Sequence, residues 1–509
     1  MANCNHRPKD ADFIFINGSE PQSLDPAIVT GQIEIRLCNA LFEGLTTRDA
    51  CGVAQPAMAK SWEISPDGLV YTFHLRENIR WSNGDAITAY DFEKSWKRVL
   101  EPETASRYAE IMYFIKNAEA YNKDALKDFS QVGIRALDER TLQVKLHSPA
   151  AFFPDVVAFT TYLPVHIPTI EKYGDRWTHP QNIVSNGAYV LRAWKINDRV
   201  ELEKNPFYWR KDSVAFNRVH ALAVSKANTA FNLYSTGQAD LILDKGMVPA
   251  VLIQELRKQA DFHANPFLAT YFYRFNVTRA PFNDIRVRKA FALAIDKQRI
   301  VEKITKAGEP IAPSFTPPGI PGYTPPDGLA YNPSLAKKLF TDAGFAEGKN
   351  FPRVSLLYNK TDLNEQIAVE IQAMWQEILG VTIELRNQEW ATYLNALNHL
   401  DFDIARSSWV GDYNDPNTFL DCFLTGRGNN RTGWSHAQYD SLMKQAASTL
   451  DAKRRFELLQ QAEKILVEQE LPIVPLYFFV GINLYNAQKL DGIHPNVVDE
   501  HPLREMRWK

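Results

Sequence analysis

The chain is expected to fold as α/β with a mixed sheet. Three observations carry this. In the C-terminal half, short β-rich runs at 354–357, 381–385 and 402–405 lie among amphipathic helical patterns at 334–340, 362–379 and 452–468. No self-similar period of 20–50 residues runs through the sequence, which excludes a solenoid or propeller. The 509 residues, 45% of them hydrophobic, are enough for about three domains, yet no low-complexity stretch or long linker separates them. Domains built this way share connections instead of following one another like beads.

The elements follow in order. Phe13-Ile14-Phe15-Ile16 is a short apolar strand ending at Asn17-Gly18. Residues 62–64 and 70–75 flank Pro66-Asp67-Gly68 and read as a hairpin, because turn formers sit between two β-rich runs and the second run alternates. Thr88 with Asp91 three residues later is a capping-box variant, and Phe92, Trp96 and Val99 follow at helical spacing. The stretch 140–146 alternates, with Leu142, Val144 and Leu146 on one face. Residues 284–300 read as one helix, with Ile285, Phe291 and Leu293 inward and Arg286, Arg288 and Lys289 on a solvated face. Pro333 opens the next helix and Gly344 closes it. The region 311–333 holds seven prolines and is expected to be an ordered surface loop.

Composition narrows function. Lys plus Arg is 57 and Asp plus Glu is 60, a net charge of −3, which weighs against a nucleic-acid binder that relies on bulk positive charge. No apolar run reaches the ~18 residues of a membrane helix. The nearest, 471–485, is broken by Pro472, Pro475, Gly481 and Asn483. The aromatic content of 12% suggests large cores or an aromatic-lined cleft. The four cysteines are too few for a disulfide scaffold and form no CxxC pair. Cys38 and Cys51 either bridge in an oxidising compartment or stay free. If Met1 replaces a removed signal peptide, Cys4 would be the lipid-carrying cysteine of a bacterial lipoprotein. Otherwise it is a free thiol.

Catalytic motifs are missing. The eleven histidines form no HExxH or similar metal-ligand pair, and no Walker A, GxGxxG or GxSxG sequence occurs. Neither a metal nor a cofactor is expected. One stretch stands out: Trp409-Val410-Gly411-Asp412-Tyr413-Asn414-Asp415-Pro416, read as a loop after the 402–405 strand. It gathers aromatic, glycine, acid and proline residues, and can set an acid beside aromatics in a cleft. Such an acid suits a cationic group, for example a peptide α-amino group. The alternative is a turn with surface acids.

At this stretch the sequence resembles the oligopeptide-binding proteins that serve bacterial peptide ABC importers, the periplasmic solute-binding proteins of family 5. The likeness lies in an ordered set of segments. Asn17-Gly18-Ser19-Glu20-Pro21-Gln22-Ser23-Leu24-Asp25-Pro26 and Leu41-Phe42-Glu43-Gly44-Leu45 come first. Tyr71-Thr72-Phe73-His74-Leu75-Arg76 and Trp81-Ser82-Asn83-Gly84 follow. Asn186-Gly187-Ala188-Tyr189, Pro281-Phe282-Asn283-Asp284-Ile285-Arg286-Val287-Arg288 and Asn387-Gln388-Glu389-Trp390 lead to Gly411-Asp412-Tyr413-Asn414-Asp415-Pro416. Ile473-Val474-Pro475-Leu476-Tyr477 closes the set.

The resemblance implies a two-lobed periplasmic binding protein-like fold of class II, of the large cluster C type. Lobe I is expected from 12–42, 166–266 and 480–509, an extra domain from 43–165, and lobe II from 267–479, with two hinge crossings. It implies a short peptide held between the lobes, delivery to an ABC permease and ATPase complex at the inner membrane, a periplasmic or extracytoplasmic location, a monomer, and no catalysis. By position, Asp412 matches the acid that holds the peptide amine, with Ser408 and Gly411 beside it. Trp409 and Trp390 match pocket-lining aromatics, and Arg406 matches a holder of a short peptide's carboxylate. Tyr271, Tyr273 and Tyr477 lie in strands near the ligand. Three positions depart from the family pattern: Leu397 stands where a second arginine is expected, Asn364 replaces a histidine, and Thr30 replaces an acid. These departures leave open a narrower ligand such as a murein tripeptide or dipeptide. A peptide or glycan hydrolase is the rival from another class.

Overall fold

A computed structural model describes residues 10–509, so Cys4 lies outside the described residues. The chain divides into two compact units. One runs to Asn265 and resumes at Gly481–Lys509; the other is Pro266–Val480. Two long strands, Phe262–Phe275 and Ile473–Tyr485, carry the chain from one unit into the other and back.

In the first unit Phe13–Gly18 is buried at every position, as its unbroken apolar run requires. It pairs in parallel with Arg218–Ala223 on one side and Leu241–Ile242 on the other. Arg199–Lys204 and Tyr189–Lys195 continue this sheet antiparallel. A separate four-stranded antiparallel sheet contains the expected hairpin, Ala59–Ile64 with Val70–Leu75, followed by Thr141–Lys145 and Ile134–Asp138. The helix Ala89–Leu100 starts at the capping box, where the Thr88 backbone N–H donates to the Asp91 carboxylate at 2.7 Å. Its Trp96 indole donates to the Tyr162 carbonyl at 2.8 Å. Two recognisable segments meet: Asn186 accepts from the Glu43 N–H at 3.1 Å and donates to its carbonyl at 2.8 Å. Cys38, which is buried, and Cys51, which is exposed, are both free thiols.

In the second unit Ser355–Asn359 pairs in parallel with Glu384–Gln388 and with Ile404–Val410. Ile404–Val410 then pairs antiparallel with Phe262–Phe275, giving the mixed sheet. Helices Pro333–Asp342 and Asp362–Leu379 occupy the places that the apolar spacing gives them. One strand begins later than its apolar run, at Glu384 instead of residue 381. Val381 and Ile383 pack into the core just ahead of it.

Two expectations for this unit need correcting. The 284–300 helix is two helices, Ile285–Leu293 and Lys297–Ile300, because Asp296 caps a new start by accepting from the Arg299 N–H. Arg288 is not on a solvated face. It is buried, and its guanidinium donates to the Glu470 carbonyl at 2.6 and 2.8 Å and to the Phe282 carbonyl at 2.7 Å. Three carbonyl contacts offset its desolvation, which periodicity alone does not register.

The proline-rich region is likewise not a surface loop throughout. Phe315, Thr316 and Tyr323 are buried against the helix Ala452–Lys464. The fully buried Glu463 of that helix accepts from the N–H groups of Phe315 (2.8 Å) and Thr316 (2.6 Å) and from the Tyr323 hydroxyl (2.5 Å). Burial disfavours its charged form more than these donors favour it, and lifts the carboxyl from 4.5 to about 7. The folded chain therefore prefers the proton. This contribution to stability is complete below pH ~4.5 and is lost as pH rises to about 7, by at most about 3 kcal/mol. Glu463→Gln should flatten that loss: its melting temperature should change less between pH 5 and 7.5 than that of the wild type. Equal slopes in the two proteins would refute it.

Among the described residues no helix is long and apolar enough to cross a membrane, and no group of three or more His, Cys, Asp or Glu can hold a metal ion.

Candidate functional site

Ten of the eleven sequence-nominated residues lie in the second unit, and most sit on or beside one strand. Ile404–Val410 extends through Trp409, so the 409–416 stretch is not all loop; its first two residues are strand. The register sets Tyr273 opposite Arg406, Tyr271 opposite Ser408 and Thr270 opposite Trp409. Side chains alternate along a strand, and directly opposed residues share a face. Arg406, Ser408, Tyr271 and Tyr273 therefore share one face of the sheet. Trp409 lies on the other, with Thr270, Ser407 and Arg274.

On the first face, the Tyr271 and Tyr477 rings stack with centroids 4.8 Å apart and planes 14° apart. Both tyrosines are buried, as is Tyr273, and all three belong to the core of this unit. Burial pushes the Tyr271 phenol up to about 12, against the opposing pull of Arg406. The Arg406 guanidinium lies over the Tyr271 ring, 4.6 Å from its centroid. Its Nη1 donates to Asn359 Oδ1 at 3.2 Å. Asn364 closes the ring of contacts: it accepts from the Tyr271 hydroxyl at 3.0 Å and donates to Asn359 Oδ1 at 3.0 Å. Among the described residues no carboxylate pairs with Arg406, and its Nε is buried without a partner. A half-buried guanidinium held only by neutral groups retains its full charge for something else.

Sequence reasoning does not nominate Asn359 or Tyr393. Tyr393 donates its hydroxyl to the Arg406 carbonyl at 2.5 Å and stacks on Trp390 at 5.6 Å. Trp390 opens the helix Trp390–Asn398 and is 57% exposed, an aromatic surface supported from below. The sequence signal available for Asn359 is its place at the end of a strand, just ahead of Thr361, which caps the Asp362–Leu379 helix. Leu397 is buried with Leu357, Phe402 and Ala405.

The turn beyond the strand is tightly constrained. Gly411 donates its N–H to the Leu268 carbonyl at 2.7 Å, and a Cβ there would stand 2.7 Å from the Leu268 side chain and 2.9 Å from that of Thr418. A larger residue there would require the Leu268 and Thr418 side chains to shift. The Asp412 N–H donates to Thr418 Oγ1 at 3.1 Å, which leaves Asp412 half-buried at the end of the strand. Asp415 anchors the turn through two buried bonds from Arg455, at 2.6 and 2.7 Å, and accepts the Asn417 N–H at 2.9 Å. The Trp409 indole N–H is buried and has no partner among the described residues. Thr30 belongs to the first unit, exposed two residues ahead of the helix Gln32–Leu41.

One strand and its turn therefore carry a cation with no counter-ion among the described residues and, six residues on, an acid in a tight turn. Six residues of strand span at most about 20 Å. A small zwitterion with opposite charges at its two ends is the chemical complement.

Known proteins are similar to this chain over nearly its whole length. Over 480 residues the chain is 38% identical to the periplasmic oligopeptide-binding protein OppA of Salmonella typhimurium, covering 92% of this chain and 87% of that protein. It is 38% identical over 490 residues to the dipeptide-binding protein DppE of Bacillus subtilis, covering 94% and 89%. Among solved structures, the periplasmic murein tripeptide binding protein MppA in its unliganded open form superposes with a TM-score of 0.89 at 33% identity, covering 97% of each chain. Residues 53–431 match the model of the bacterial extracellular solute-binding proteins, family 5. The chain belongs to that family.

Proposed function

We propose that this protein is an extracytoplasmic receptor that captures short peptides and delivers them to an ABC permease and its ATPase at the inner membrane. The observation that carries the reading is the placing of Asp412, in its constrained turn, six residues beyond Arg406, which has no acid partner among the described residues. Asp412 takes the peptide's α-amino group and Arg406 its carboxylate. Trp390 and Trp409 line side-chain pockets. Gly411, Ser408, Tyr271, Tyr273 and Tyr477 shape the surface around them, and Asn364 acts through Asn359. Thr30 contributes from lobe I. Main-chain pairing to an extended peptide gives affinity without regard to sequence, and bridging waters accommodate different side chains.

The wider picture is part of the same proposal. Lobe I is formed by 12–42, 166–266 and 480–509, the extra domain by 43–165 and lobe II by 267–479, with bending at the two crossings. The receptor works as a monomer in the periplasm, anchored by lipid if Cys4 carries it. It performs no chemistry on its ligand. A narrower ligand, a murein tripeptide or a dipeptide, is the alternative reading. It is favoured by apolar Leu397, which leaves Arg406 as the single guanidinium of this pair of positions.

Native mass spectrometry of the purified protein is the test. The expected result is a set of mass increments matching intact peptides of a few residues, which denaturation releases. A defined peptide recovered as fragments would favour the hydrolase rival. An unloaded protein that gives no calorimetric signal with di-, tri- and tetrapeptides would overturn the proposal.

A further inference from the structure

We propose that Asn359 and Tyr271 are positioning residues that keep the surroundings of Arg406 free of negative charge, so that the guanidinium selects ligands ending in a free carboxylate over those ending in an amide. The inference rests on the reading of Arg406 as the carboxylate holder.

Four side chains form a closed circuit. The guanidinium is held at its edge by Asn359 Oδ1 (3.2 Å) and on its face by the Tyr271 ring (4.6 Å to the centroid). Tyr271 is fixed in turn by its hydroxyl bond to Asn364 (3.0 Å), and Asn364 donates to both the side-chain oxygen of Asn359 (3.0 Å) and its carbonyl (2.9 Å). Tyr271 also stacks against Tyr477, with ring centroids 4.8 Å apart, which further restrains the ring. Each contact restricts the orientation of Arg406, and none neutralises it. An arginine held this way in a core would ordinarily be paired with an acid, which would satisfy its charge and leave little for a ligand. Here the position that contacts Nη1 is an amide, which accepts one hydrogen bond and carries no charge. The arrangement holds the guanidinium in place before binding, and a bidentate carboxylate gains most from a donor pair already fixed in plane.

The decisive variant is Asn359→Asp. It is nearly isosteric and keeps an oxygen where Asn364 and Arg406 both donate, so the circuit and the fold are retained. It also gives Arg406 an internal counter-ion. Calorimetry on the full chain uses one tripeptide as its free acid and as its C-terminal amide. The wild type is expected to prefer the acid by at least about 10-fold, the ratio one charge-assisted bond supplies. In Asn359→Asp that ratio should fall to within about 3-fold, while the preference for a free over an N-acetylated amine stays as in the wild type. The melting temperature should be equal or higher. Tyr271→Phe removes the hydroxyl with its interactions with Asn364 and Arg406, keeps both ring contacts, and should lower the acid-to-amide ratio severalfold.

The outcomes separate. A wild type that binds acid and amide equally overturns the carboxylate role of Arg406 itself. A wild type that discriminates, with Asn359→Asp discriminating equally well, overturns the positioning inference alone. Should Asn359→Asp melt well below the wild type, Tyr271→Phe decides: an unchanged ratio refutes the proposal and a reduced one supports it.

Discussion

Asp412→Asn is expected to lower affinity for a free-amine peptide by about 100-fold to several thousand-fold. Removing one partner of an enclosed ion pair costs roughly 3–5 kcal/mol, and each 1.4 kcal/mol is tenfold in affinity. Asparagine keeps the backbone contact that shapes the turn, in which the Asp412 N–H donates to Thr418 Oγ1 at 3.1 Å. Gly411 is likewise untouched, so the approach to Leu268 survives. The wild type should lose a similar amount when the peptide is N-acetylated, and Asp412→Asn should be nearly indifferent to acetylation. Calorimetry on the two proteins and two peptides forms a double cycle. Unchanged affinity in the variant, or equal affinity of the wild type for both peptides, would remove Asp412 from the role.

The largest loss of stability is expected at Asp415, three residues further on. Its carboxylate and the Arg455 guanidinium are 7% and 4% exposed and share two short bonds. Asp415→Ala removes both bonds to the buried Arg455 guanidinium, and breaking a buried ion pair by removing one partner costs about 3–5 kcal/mol. In a unit of this size each kcal/mol lowers the melting temperature by about 2–4 °C, so a fall of roughly 6–20 °C is expected for that unit. The double change Asp415→Leu with Arg455→Met should recover much of it, because burying two apolar groups incurs no desolvation penalty. Differential scanning calorimetry reads both. A drop below about 2 °C for Asp415→Ala would show that the pair is not what holds the turn.

These two acids illustrate how much is legible in the sequence. Asp412 and Asp415 stand in one short run, and the family resemblance singles out Asp412. Asp415 reads as a surface acid in a turn, because its partner Arg455 lies forty residues away on the helix Ala452–Lys464. A pairing between distant residues leaves no mark in local spacing. The same limit applies to Glu463. Within an amphipathic helix it resembles any solvated glutamate, yet it pins Phe315, Thr316 and Tyr323 and brings part of the proline-rich segment into the interior. Arg288 reads as part of a basic outer face for the same reason, since periodicity records which way a residue points and not which carbonyls await it.

Short-range information in the chain is enough for the class of fold, for the helices with strong caps or long apolar stripes, and for the family. It consists of turn residues between β-rich runs, Thr88 three residues before Asp91, and recognisable segments in fixed order. Which candidate residues act together is settled only by the folded arrangement. Strand pairing puts Arg406 and Tyr271 on one face and Trp409 on the other, and Asn359 joins the site because three separate strands and a helix converge there. Register is a relation between chain segments more than a hundred residues apart. It is selected by how the side-chain faces of both strands bury together, a match between two distant segments that neither one encodes alone.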